Sequence, residues 1–216
     1  MTIGNYIEAK TNDYASLGLF KAFAEDKIPL EKFPEFFKEQ YMTSRWFQDL
    51  IWATTEINEG PYAEFAKNHR KVDSGHHKWM KADLANFGLT PMTSDDWFRM
   101  EWLPTRIHMS RILSLCYDAS PEVLMTILLS LESAGSVTLG TLFGYVERHD
   151  LLDKTFYLGN KHLKVENNQV EEIHEVAKDI INSENTELKK VVDTVFDALT
   201  TMFTEGGKRY YAEYIN

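Results

Sequence analysis

Apolar residues recur at three- and four-residue spacings along almost the whole of this chain, while alternating runs bounded by turn residues are hard to find. Side chains three or four positions apart share one face of an α-helix, whereas a half-buried strand needs strict alternation. The sequence therefore predicts an all-α fold, a bundle of about seven helices. Punctuation supports this: Ser120-Pro121 and Gly60-Pro61 put proline at a first helical position, and Gly88 followed by Pro91 makes a helix stop. The breaks place helices near Asp13 to Ala24, Leu30 to Ile57, Pro61 to Phe87, Asp95 to Cys116, Pro121 to Arg148, Asn160 to Ile181 and Asn185 to Glu205. With no linker-like tract and no internal repeat, residues 1–216 are read as one domain, in which 13% aromatic residues predict a core rich in rings.

Charge and cysteine content narrow the function classes. Thirty-three acidic against 23 basic residues give a formal net charge of -10, a surface that repels phosphate backbones, so nucleic acid is not expected as a partner. The single cysteine, Cys116, rules out an intramolecular disulfide framework and suits a reducing compartment; the cytoplasm is the expected location. The opening MTIGNYIEAK lacks the features of a secretory leader. The longest apolar run, Val123 to Leu131, is interrupted by Thr126 and Ser130 and is far shorter than the ~20 residues of a membrane span, so no membrane is expected.

Three segments carry candidate chemistry. In FAKNHRKVDSGHHKWMKADLANFGL, His69, Asp73, His76, Met80 and Asp83 fall three or four residues apart along one helical stripe, while His77 points about 100° away from His76. An exposed polar stripe has the same spacing. In LLSLESAGSV, Glu132 sits among Leu128, Leu129, Leu131, Ala134 and Val137 in the most apolar helix. A carboxylate buried there needs a partner, either an arginine such as Arg106 or Arg111, or a metal. In YLGNKHLKVENNQVEEIH, His162, Glu166 and Gln169 share one face, with His174 off the stripe; a solvated face remains the alternative. Jointly, three helices each offer a carboxylate and two add imidazole, the way helical bundles assemble iron-carboxylate sites from facing side chains. Such ligands suit iron or manganese, and one cysteine argues against structural zinc or an iron-sulfur cluster.

These motifs resemble the heme-oxygenase-like diiron oxidase superfamily, which shares its fold with thiaminase II and pyrroloquinoline quinone synthase. His69, Val72, Asp73, Gly75, His76, His77 and Trp79 stand at the places of that family's H-x-x-E-E-x-G-H-E-x-W pattern, with Asp73 for the usual glutamate. Glu132 stands for its buried glutamate on a later helix, and His162, Glu166 and Gln169 for its H-x-x-x-D-x-x-H motif, with glutamate for aspartate at 166 and glutamine for histidine at 169. The resemblance implies a heme-oxygenase-like bundle with Asp73, His76, Glu132, His162 and Glu166 as iron ligands, Glu132 also as catalytic residue, and His69 and Gln169 as additional candidates. It implies two ferrous ions, one of them weakened by Gln169, since an amide oxygen is a poor ligand beside an imidazole. The partners implied are O2 and a small amino-acid-like or fatty-acid-like substrate that is oxidised or fragmented.

Other readings stay open. Trp97 to Arg111 combines rings with Arg99, Arg106 and Arg111, which suits a carboxylate-bearing substrate or ordinary helix packing. No histidine precedes His69, against the axial ligand that true heme oxygenases place on their first helix. A thiaminase-II-like hydrolase would need Cys116 as its nucleophile, and a metal-free ligand-binding bundle is the remaining rival. The tail RYYAEY, Arg209 to Tyr214, either packs on another subunit, in a homodimer, or folds back on the bundle.

Overall fold

A computed structural model describes residues 1–89 and 92–215, apart from the side chains of Ser94 and residues 164–171. Among the described residues there are eleven α-helices and no strand: α1 (Ile3–Ala15), α2 (Gly18–Ala24), α3 (Phe33–Ala53), α4 (Ala63–Asp73), α5 (His76–Asn86), α6 (Ser94–Trp97), α7 (Leu103–Ser114), α8 (Pro121–Arg148), α9 (Asn160–Val176), α10 (Lys178–Asn182) and α11 (Thr186–Tyr211). The all-α expectation holds, but the helix number exceeds the expected seven for local reasons. Chief among them, the stretch read as one helix from Pro61 to Phe87 is two, because Ser74 is extended and Gly75 adopts a left-handed φ of 96° between α4 and α5. The N-terminal helix α1 escapes periodicity because only Ile3, Ile7 and Tyr14 anchor it; Thr2 caps it by accepting from the Asn5 N–H.

Helix α8 begins and ends where the sequence places it. Ser120 accepts from the Val123 N–H, Pro121 starts the first turn without a donor to satisfy, and apolar residues then surround the helix. Among the described residues it alone is long and apolar enough to cross a membrane by length and composition, yet more than half of that stretch is buried in the bundle, packed by α1, α2, α9 and α11. Helix α11 runs past its expected stop at Glu205. Gly206 and Gly207 remain helical and buried, and a Cβ on Gly207 would stand 3.2 Å from Leu19 Cβ, so this glycine marks close packing on α2 rather than a helix end.

The ring-rich core follows from the composition. Phe23 meets Phe33, Phe36, Tyr145 and Tyr211, with centroid distances of 5.1 to 6.0 Å. The first residues of the tail fold back on the bundle: Tyr211 is fully buried, Tyr210 accepts from Trp102 Nε1 at 2.8 Å, and Arg209 grips buried Glu39 through both carboxylate oxygens. This aromatic half fixes α3, α7 and α11 together, and the other half of α3 reaches the break between α4 and α5 through Gln48.

Candidate metal centre

Helix α4 presents His69 and Asp73 one turn apart, and α8 presents Glu132 from the facing side. All three are buried. His69 Nε2 lies 2.9 Å from Asp73 Oδ2 and 3.0 Å from Glu132 Oε1, and the ligating atoms of the three residues fall within 4.8 Å of one another. One ring N–H can point along only one line, so two carboxylates from different helices at nearly equal distance suit a shared cation better than a single hydrogen bond. The spacing also fits the donor set: ligands adjacent around one six-coordinate ion, with bonds of about 2.1 Å, stand about 3 Å apart. Burial alone would push the His69 imidazole down, but hydrogen bonds and charge from Asp73 and Glu132 outweigh it and raise it to about 10. In the absence of metal the charge of the protonated imidazole therefore offsets those of the two carboxylates.

The break between α4 and α5 brings His76 beside Asp73. Gln48 of α3 accepts from the Gly75 N–H at 2.9 Å and donates to the Asp73 carbonyl at 3.3 Å, clamping the kink. His76 Nδ1 then stands 3.7 Å from Asp73 Oδ1, and Trp79 stacks on its ring at 4.8 Å. The first turn of α9 adds His162, fully buried, its ring 4.5 Å from that of His76. His162 Nδ1 is 2.6 Å from the Tyr157 carbonyl. A carbonyl only accepts, so Nδ1 carries the hydrogen, which leaves Nε2 as the ring nitrogen that could ligate a metal. The loop that supplies this carbonyl is held by Asp83, whose buried carboxylate accepts from the N–H groups of Phe156, Tyr157 and Leu158 at 2.6, 2.8 and 3.3 Å. Burial pushes Asp83 up, against the lowering by those three donors.

Among the described residues the structure thus groups Asp73 and Glu132 with His69, which the family motif ranked only as an additional candidate, and sets His76 beside Asp73 and His162 beside His76. Glu166 and Gln169 have side chains outside the described residues. Glu132 meets His69 rather than an arginine: Arg106 donates to the Trp97 carbonyl and Arg111 is exposed. Arg99 pairs with Asp96 and Glu101, and none of these three arginines lines the cavity beside the cluster. Asp83, on the same stripe as the ligand candidates, serves the backbone instead. Its role was hidden in the sequence because it depends on contact with a loop more than seventy residues away. Cys116 is buried at the end of α7, and burial pushes its thiol up to about 11, the opposite of an activated nucleophile.

A cavity of about 150 Å³ adjoins the cluster, walled by Asp73, His76 and Glu132 on one side and by apolar residues of α8 and α11 on the other. No protein-family model matches this chain, and no curated protein sequence matches it.

Proposed function

We propose that this protein is a non-haem iron oxidase of the heme-oxygenase-like type, in which carboxylates and imidazoles of α4, α5, α8 and α9 hold ferrous iron and O2 oxidises a small substrate in the adjoining cavity. The observation that carries this reading is His69 Nε2 poised at 2.9 and 3.0 Å from two carboxylates of separate helices, all buried. Asp73 and Glu132 supply two negative charges, and His69, His76 and His162 supply nitrogen donors, a set that suits iron or manganese better than calcium or magnesium. Ferrous iron bound there would supply the one-electron chemistry that lets O2 react.

The chain's own residues do the rest. His69 gives up its proton when metal enters, since the same nitrogen cannot serve both. The Tyr157 carbonyl fixes the His162 tautomer, and Asp83 fixes that carbonyl. Leu131, Ala134 and Leu142 line the cavity next to Glu132 and limit water around the reacting groups. Glu132, lining the cavity as well as facing His69, is the carboxylate placed to exchange a proton with a bound substrate.

The test is anaerobic titration with ferrous iron, metal per chain being counted in wild type, His69→Ala and Glu132→Ala, followed by O2 uptake. Two equivalents, lost in both variants, are expected; one equivalent would make the centre mononuclear. No specific uptake, with both variants behaving as wild type, would remove the oxidase reading. It would favour a metal-free ligand-binding bundle, which the raised His69 imidazole also suits, because its positive charge then offsets the carboxylates.

A further inference from the structure

Gly135 and Gly140 both stand inside α8, far from its ends. A Cβ at either would meet nothing within 4 Å among the described residues, unlike one at Gly207, which would crowd Leu19. Gly140 is exposed, so its open surroundings are solvent. Gly135 is half-buried and lines the cavity. Leu131, Thr138 and Leu142, at i−4, i+3 and i+7 from it, line the cavity too, so position 135 lies at the centre of the strip that α8 turns toward that space. A side chain at 135 would therefore project into the cavity. Glycine is, after proline, the poorest helix former, and here no close helix contact offsets that. What Gly135 leaves is room.

We propose that Gly135 is the specificity-determining residue of this cavity: the side chain it lacks leaves the space that receives the compact apolar body of the substrate, about one helical turn from Glu132. Glu132 lines the same cavity three residues earlier, so a molecule seated against Gly135 lies beside the ligand cluster. Leu199, Met202 and Phe203 of α11 add apolar lining, and burying apolar surface there is the driving force for binding. The cavity volume is about 150 Å³, and an apolar cavity of that order takes up benzene-sized molecules. Alanine at 135 would fit the helix but occupy part of the room; leucine would fill it. The inference rests on the oxidase reading for the reaction performed on that body, but not for its binding.

Calorimetric titration of chelator-treated, metal-free protein with benzene and with butylbenzene tests this directly, in wild type, Gly135→Ala, Gly135→Leu and the control Gly140→Leu. Wild type is expected to bind both. Gly135→Ala should weaken butylbenzene about fourfold, the worth of one buried CH2, and benzene less, because the longer molecule needs more of the space. Gly135→Leu should weaken both by more than about tenfold, while Gly140→Leu binds as wild type does. The unfolding midpoint should rise in all three variants, since a better helix former replaces glycine where there is room; a glycine kept for close packing would show the opposite. No binding of either probe by wild type, benzene affinity unchanged in Gly135→Leu, an equal loss in Gly140→Leu, or a lower midpoint in Gly135→Ala would each overturn the proposal. Iron counted on the same preparations separates the two readings. Binding limited by residue 135 without iron uptake keeps the role of Gly135 and discards the oxidase, and iron uptake with binding indifferent to residue 135 does the reverse.

Discussion

Helix α8 and the α4–α5 pair deliver ligand candidates to one centre by different physical means. In α8 a long apolar helix is gripped on several sides by α1, α2, α9 and α11, and Glu132 is where it is because its neighbours along the helix have no other place to go. In α4–α5 the chain breaks at Ser74 and Gly75, and the aim of His76 depends on one left-handed glycine and one glutamine from α3. Packing places the first carboxylate robustly. A local backbone device places the second group, and it can be undone without disturbing the core.

The comparison breaks most sharply at the residue that packing places. Glu132→Ala should leave α8 folded, since the substitution is helix-favouring, yet lower ferrous-iron affinity by more than the roughly 10–100-fold that loss of an outer-shell partner costs. Circular dichroism beside an iron titration checks both halves. Retained affinity would show that Glu132 is a bystander paired with His69.

Gly75→Ala tests the other device. The added Cβ has room, with Lys78 Cδ nearest at 3.8 Å, so the cost is the left-handed backbone itself, about 1–2 kcal/mol. Denaturant unfolding should show that loss. Iron affinity should fall about tenfold as His76 turns away, with Glu132 unmoved. Gln48→Leu acts on the same kink from outside, removing the bonds to the Gly75 N–H and the Asp73 carbonyl, at about 1 kcal/mol. Its effect on iron affinity should be smaller than that of Gly75→Ala. If the order reverses, the clamp rather than the glycine sets the angle.

The two regions were also unequally legible in the sequence. Pro121, Ser120 and a continuous apolar pattern announce α8 from end to end, and Glu132 stands out as a carboxylate inside it. His69, Asp73 and His76 stand out by spacing, but spacing assumes an unbroken helix, and nothing local reveals that Gln48, more than twenty residues earlier, holds a kink there. The ranking of His69 suffered for the same reason. Seen along one helix it is the far end of a stripe; in three dimensions it lies between Asp73 and a carboxylate sixty-three residues away. Tyr157 and Asp83 were opaque because backbone carbonyls and N–H groups leave no trace in residue identity. The end of α11 misled in the opposite sense, since Gly206 and Gly207 read as a stop but serve close packing.

A smaller and more gradual effect separates proton from metal at the point where the two regions meet. In metal-free protein the His69 imidazole is raised to about 10, above the ~6.5 of an unfolded chain. A raised cationic group stabilises fully below its unfolded value and loses that contribution as pH rises through its folded one. The unfolding midpoint of the chelated wild type should therefore decline between about pH 6.5 and 10, relative to His69→Gln, which has no such proton to lose. Iron affinity should move the opposite way, rising over the same range by up to about tenfold per pH unit because the metal displaces that proton. A wild-type and His69→Gln pair with parallel pH profiles would mean that no protonated imidazole stands between α4 and α8, and the 2.9 and 3.0 Å contacts would then need a different counter-ion.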